Sequence, residues 1–336
     1  MISDCFNKNR TFVMGMSIIF IVLLHTHFHL PFVFHFLRRM GYVYVDLFMM
    51  LSGYGLYYSL TKNGSLKQFF KKRAIRILPT YYSLAIIYLV FKFITTRVLF
   101  TDVLGVLTTM SFWSGQEMVF SWFAQSLVAF YLVSPLLVRA VNGMKNHWLL
   151  VLIAIIFILP FVTTPRLFMA ISRIPAFVCG MCFAKSIKFG GNEWMESRKS
   201  LIYIVGLFGF GLLYFFKFYF QDFISSTFGK PYYLIFLPAV FFVPSLAILF
   251  STICNWLYKF RQQWLTTIIQ KLGNCTFEIY LFQSLLYLIV FYYIHNDSWG
   301  NIDWMLIMLL AIIGGCIISN CLSKFVAHIK NKYLDV

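Results

Sequence analysis

Ten runs of apolar residues, each close to the length that crosses a bilayer, govern what this chain can fold into. They occupy roughly 12–30, 42–60, 78–96, 122–140, 147–163, 167–185, 200–218, 232–254, 275–294 and 303–322. A hydrocarbon core about 30 Å thick takes about 20 helical residues to cross. A β-barrel would read as short alternating segments, so the runs specify α-helices, which satisfy their own backbone groups in lipid. Composition agrees. Of 336 residues, 60% are hydrophobic and only 12% charged, whereas a soluble domain carries about 25% charged residues. A soluble enzyme, a disordered tail and a secreted disulfide scaffold are excluded. The expected fold is all-α: a polytopic transmembrane helix bundle of about ten spans, with residues 1–336 forming a single integral-membrane domain. The shorter apolar stretch 103–113 reads as re-entrant, interfacial or an eleventh element.

The formal net charge of +17 would suggest nucleic acid in a soluble protein. Here the basic residues lie between apolar runs, so topology accounts for most of them and no nucleic-acid partner is expected. With the amino terminus in the cytoplasm, alternating loops place 20 of the 28 Lys and Arg residues on the cytoplasmic side, as the positive-inside rule requires. Both termini are then cytoplasmic. Lys8 and Arg10 precede the first run in signal-like fashion, but no small-residue cleavage site follows, so the run reads as a retained span. The seven cysteines are odd in number and mostly lie in or beside apolar runs, which suits packing better than disulfides. Cys179 and Cys182 form a C-x-x-C within an apolar helix, with no second pair to complete a zinc site.

No long loop carries a soluble catalytic domain, so any chemistry belongs among the helices. Ionisable groups inside spans are costly and are functional candidates for that reason. His25 lies 13 residues past Phe12, about 20 Å along a helix axis, beyond the bilayer midplane. A neutral imidazole there is the natural base for activating a hydroxyl. His27 and His29 fit hydrogen bonding at the outer interface. A zinc reading of His25 and His29 at i,i+4 lacks an obvious third ligand, although His35 is available, and no metal is expected. Arg73 and Arg76 share a helix face at the cytoplasmic surface, shortly before Pro79. An ordinary positive-inside loop explains Lys62, Lys67 and Lys71, whereas paired guanidinium forks suit a polyphosphorylated ligand entering from the cytoplasm. In the second run Asp46 sits just inside the outer end and needs a partner, for which a histidine of the first span, oriented by it, is one candidate. Gly53 and Gly55 read as close helix contacts.

Taken together and in order, these segments resemble the acyltransferase 3 family of bacterial membrane O-acyltransferases. The matches are His25; Val45-Asp46-Leu47-Phe48 with Leu51-Ser52-Gly53; Arg73, Arg76 and Pro79; Trp122, Tyr131 and Pro135; Arg173, Pro175, Phe177 and Gly180; and Leu272, Gly273, Ile279, Tyr280 and Leu281. The sequence departs from the family pattern at three places. Met14 stands where the family often has arginine, Leu127 replaces a frequent acidic residue, and Gln283 replaces a late histidine. Arg10, about one turn before Met14, is the available substitute for the missing charge.

The resemblance implies transfer of an acyl group, usually acetyl, from cytoplasmic acyl-CoA to a hydroxyl of a cell-envelope carbohydrate, by a multi-pass protein of the bacterial inner membrane. On that reading His25 and Asp46 form the catalytic set, and Arg73, Arg76 and Arg10 bind acyl-CoA. Arg173, Tyr280, Gln283 and Trp122 are candidates for acceptor binding or oxyanion stabilisation, with a salt bridge to a nearby carboxylate as the other reading of Arg173. The partners implied are acyl-CoA as donor substrate, the carbohydrate acceptor and membrane lipids. No permanently bound cofactor is required. The competing reading is a transporter or flippase of a lipid-linked saccharide, which predicts broken helices and repeat symmetry that the sequence does not display.

Overall fold

The computed structural model describes residues 6–28, 32–62, 65–143, 165–220, 238–293 and 300–333. Among the described residues the regular structure is helical and no strand occurs. The helices are α1 (Arg10–Leu24), α2 (Phe32–Arg39), α3 (Val43–Thr61), α4 (Leu66–Thr95), α5 (Phe100–Leu107), α6 (Trp122–Gly143), α7 (Pro165–Ile171), α8 (Ile174–Lys188), α9 (Asn192–Ser197), α10 (Lys199–Phe215), α11 (Ala239–Lys259), α12 (Gln263–Asn274), α13 (Thr276–Tyr293) and α14 (Asn301–Tyr333). A π-helical turn, Phe216–Phe220, extends α10.

Among the described residues seven helical segments are long and apolar enough to cross a membrane: Leu66–Thr95, Trp122–Gly143, Arg166–Lys188, Lys199–Tyr219, Ala239–Lys259, Thr276–Tyr293 and Asn301–Phe325. The fold is therefore an all-α polytopic bundle. Two further runs form helices outside that class. The α1 helix has only 15 residues, and the 19-residue α3 carries Asp46 and four tyrosines. The run at 147–163 lies outside the described residues. The stretch beginning at 103 is partly the eight-residue α5, whose first turn is held by Asp102 accepting from the Leu99 backbone N–H at 3.1 Å.

The contacts sort into two compact units, each assembled from separated segments. One comprises Met1–Ser17, Gly41–Lys62 and Val133–Gly273, and the other Ile18–Met40, Asn63–Leu132 and Asn274–Val336.

In the first unit α3 packs on α8 and α11, and α10 on α11. Lipid tails give apolar helices no hydrophobic reason to associate, so close backbone approach has to do it. The α3–α8 crossing uses one glycine from each helix. A Cβ on Gly53 would collide with the Phe177 carbonyl, and one on Gly180 with the Met50 carbonyl. The crossing of α1 and α12 repeats the device, with Gly15 against the Ile269 carbonyl and Gly273 against the Thr11 carbonyl. Buried Asn9, just before α1, donates to the Ser251 hydroxyl and to Asn255 Oδ1, both at 2.9 Å, and so ties the chain to α11. Two lysines in the last turn of α8 do local work as well. Lys185 Nζ donates to the Val141 carbonyl at 2.6 Å and Lys188 Nζ to the Thr61 carbonyl at 3.3 Å. They satisfy carbonyls at the C-terminal ends of α6 and α3, where a cation also suits the helix dipole. The ends of α3, α6 and α8 thus meet on one side.

In the second unit α13 packs on α14 and α4, and α14 on α4. Gly314 lies against the Phe282 ring and Gly315 against the Ile279 backbone, so α13 and α14 approach closely. The α4 helix starts at Ser65, whose hydroxyl accepts from the Gln68 N–H at 3.2 Å. It runs on through Pro79, which has no N–H to donate to the preceding turn. Its buried Tyr81 donates to the Val106 carbonyl at 2.8 Å and anchors the end of α5.

Candidate active site

The expected first span ends earlier than the apolar run does. The α1 helix stops at Leu24, and Thr26–Phe28 have no regular structure. Pro31 disfavours helix at the residue before it, and the alternating histidines have no helical face to complete. A helical i,i+4 pairing of His25 with His29 therefore has no helix to rest on, and His29 itself lies outside the described residues.

His25 instead sits in the terminal turn, and the exposed carbonyls of that turn are used up one by one. A helix end leaves its last carbonyls unpaired, which is costly at membrane depth. His25 Nδ1 donates to the Ile21 carbonyl at 2.8 Å. The Val22 carbonyl accepts from the His25 N–H at 3.3 Å and from Gln283 Nε2 at 3.4 Å. The Leu23 carbonyl accepts from the Thr26 N–H at 3.2 Å and from the Thr26 hydroxyl at 2.7 Å. Arg38 Nη1 in α2 donates to the Thr26 carbonyl. A carbonyl can only accept, so Nδ1 carries the proton and a neutral His25 has its lone pair on Nε2. Nε2 makes no hydrogen bond among the described residues, and the side chain is exposed. The ring is oriented by backbone, and it faces Tyr287 with ring centres 6.1 Å apart.

Asp46, in the first turn of α3, is buried and pairs with Arg173, with Oδ1 at 3.5 Å from Nε. The partner the carboxylate required is thus an arginine. Arg173 is itself buried and also donates to the Ser172 hydroxyl at 2.8 Å. It lies where the sixth run breaks between α7 and α8, immediately before Ile174-Pro175. Of the two readings left open for Arg173, the structure supplies the salt bridge. Arg10 belongs to the same unit. Its Nη2 donates to the Leu51 carbonyl at 3.0 Å, and its guanidinium fills the space that a side chain at Gly55 would need. Tyr54, beside it, donates to Asn7 Oδ1 at 2.8 Å.

The other predicted residues fall in the unit that holds His25. Arg73 is half-buried, with its guanidinium over the rings of Phe69 and Tyr131 at 5.5 and 5.7 Å. Arg76 is exposed. Trp122 opens α6 and touches the ring of Phe112, with centres 6.3 Å apart. Tyr280 is buried against Phe123, with centres 4.9 Å apart. Gln283 is buried and holds the His25 turn through Val22.

Two residues were not singled out from sequence. Glu278, in the first turn of α13, accepts from the Thr80 hydroxyl at 3.2 Å and lies within electrostatic reach of Arg76. An acidic residue three positions into an apolar run is a signal that could have found it. Tyr287 lies one turn beyond Gln283, beside His25, and nothing in its sequence neighbourhood marks it. Glu278 and Tyr287 are nine residues apart on one helix, about 13 Å along its axis. The α13 helix therefore carries a charged level shared with Arg76 and Thr80, and farther along it the level of His25.

A family model described as an acyltransferase domain matches residues 13–321. No curated protein and no solved structure matches the chain. The match takes in the His25 turn, the Asp46–Arg173 pair, the α4 arginines and about the first two thirds of α14, so the chain belongs to the acyltransferase 3 family and is a multi-pass membrane acyltransferase.

Proposed function

We propose that this acyltransferase moves an acetyl group from cytoplasmic acetyl-CoA to a hydroxyl of a cell-envelope carbohydrate at the bacterial inner membrane. The observation that carries the reading is the state of His25. Its Nδ1 is committed to the Ile21 carbonyl, and Nε2 is left as an unpaired base on an exposed ring. The acceptor hydroxyl gives its proton to Nε2 as its oxygen attacks the thioester carbonyl carbon. The C–O bond forms and the carbonyl π pair moves onto oxygen. Collapse then breaks the C–S bond, and the thiolate takes the proton back from Nε2.

Arg73 and Arg76 are the donor-binding pair. Stacking between Phe69 and Tyr131 holds the Arg73 guanidinium while leaving its edge for phosphate oxygens. Arg10 is spent on the Leu51 carbonyl and the Gly55 niche, and Arg173 on Asp46. Both are better read as packing cations of the first unit than as substrate contacts. Gln283 acts through Val22 on the position of His25.

The test uses membranes containing the protein and labelled acetyl-CoA, with mass spectrometry of envelope polysaccharide from strains with and without the gene. The expected result is polymer that loses ester groups in the deletion strain, and no acetyl transfer from the inserted His25→Ala variant. A deletion strain that loses the polymer itself would point to a transporter. Full activity in His25→Ala would refute the assignment of the base.

A further inference from the structure

We infer that Tyr287 is a catalytic residue of this reaction: its phenolic hydroxyl donates to the thioester oxygen as negative charge develops there. The inference rests on the acyl-transfer reading above and goes beyond it, since that reading supplies a base but no group to receive the charge.

Buried polar groups in folded proteins nearly always have hydrogen-bond partners, and an orphan needs an explanation. Two orphans stand beside His25. Tyr287 is 7% exposed and Gln283 2% exposed. Neither the Tyr287 hydroxyl nor Gln283 Oε1 completes a hydrogen bond of normal geometry, and the two side chains are in no more than weak hydrogen-bonding contact with each other. Gln283 Nε2 donates one of its two hydrogens to the Val22 carbonyl, and its Oε1 can only accept. Gln283 therefore cannot stabilise an oxyanion through that atom. The tyrosine hydroxyl can, because it has a proton to give.

The surroundings fix the ring. Tyr287 lies between His25, 6.1 Å away, and Phe291, 5.8 Å away. Phe291 packs in turn on the buried Trp304 with centres 6.0 Å apart, and Trp304 on His27 at 5.0 Å. A donor held this way needs no reorganisation when charge appears, which is what makes oxyanion stabilisation large. A side chain kept for packing alone would serve as well without the hydroxyl.

The experiment compares wild type, Tyr287→Phe and His25→Ala in acetyl transfer from acetyl-CoA, with thermal melting of each purified variant in detergent. Phenylalanine keeps the ring and removes only the unpaired hydroxyl. The expected result is a loss of about 10²–10³-fold in kcat, with the donor KM unchanged and a melting temperature equal to wild type or higher. A kcat within a few-fold of wild type overturns the inference. So does a lowered melting temperature that accounts for the lost activity, because the hydroxyl would then be structural. If His25→Ala is dead and Tyr287→Phe is active, only the role of Tyr287 falls. If His25→Ala is fully active, the reading beneath it falls too.

Discussion

Removing Arg173 tests whether the buried pair in the first unit is a structural lock or part of the chemistry. The guanidinium and the Asp46 carboxylate are 2% and 1% exposed and 3.5 Å apart. At an effective dielectric of about 20, that separation corresponds to an attraction of about 5 kcal/mol. With both charges present, much of this is offset by their desolvation. With one charge gone, the other stays buried without compensation, at a cost of about 3–5 kcal/mol. Arg173→Met should therefore shift the unfolding equilibrium by about 10²–10⁴-fold. Asp46→Asn combined with Arg173→Met removes both charges and should recover most of the loss, since replacing a whole buried pair is often close to neutral. The assay is a double-mutant cycle by denaturing-detergent titration in mixed micelles, with acyl transfer measured at a permissive temperature. The expected coupling between the two positions is at least about 2 kcal/mol. Additive losses would refute the lock. A double variant that folds but transfers no acyl group would return Arg173 to the reacting centre.

Two other perturbations follow from the packing and from the donor end. Gly53→Ala and Gly180→Ala each drive a Cβ into a carbonyl of the facing helix and should cost about 1–3 kcal/mol through forced separation of α3 and α8. Gly211→Ala on α10 meets nothing within 4 Å and should cost nothing in the same titration. Arg73→Lys keeps the charge but loses the fork and the stacking, so it should raise the KM for acyl-CoA by about tenfold or more, which is about 1.4 kcal/mol. Tyr131→Leu should reproduce part of that rise, and an unchanged KM in both variants would remove Arg73 from the donor site.

Much of the bundle was legible because membrane spanning is a one-dimensional constraint. Apolar length marks where helices form, and nine of the ten runs carry a described helix, seven of them long and apolar enough to cross. His25, the α4 arginines and Asp46 stood out for the same reason, since a polar group at lipid depth has to be accounted for. The errors lie where a helix ends or meets another. The first run stays apolar past Leu24, so the sequence could not show that the helix stops there and that the His25 ring nitrogen takes the exposed Ile21 carbonyl. The sequence registered that Asp46 needed a counter-charge but not that Arg173, 127 positions away in the chain, would provide it.

The sequence by itself determined that this chain is a helical membrane protein, roughly where its apolar helices lie, and which ionisable residues must have partners or work, because those follow from local composition against a fixed hydrocarbon thickness. Tertiary structure alone decided who those partners are: that Arg173 neutralises Asp46, that Thr80 holds Glu278 near Arg76, and that Tyr287 stands beside the His25 turn with its hydroxyl unpaired. Pairing depends on how helices rotate and slide against one another, and that is set by glycine contacts and buried hydrogen bonds between segments far apart in the chain.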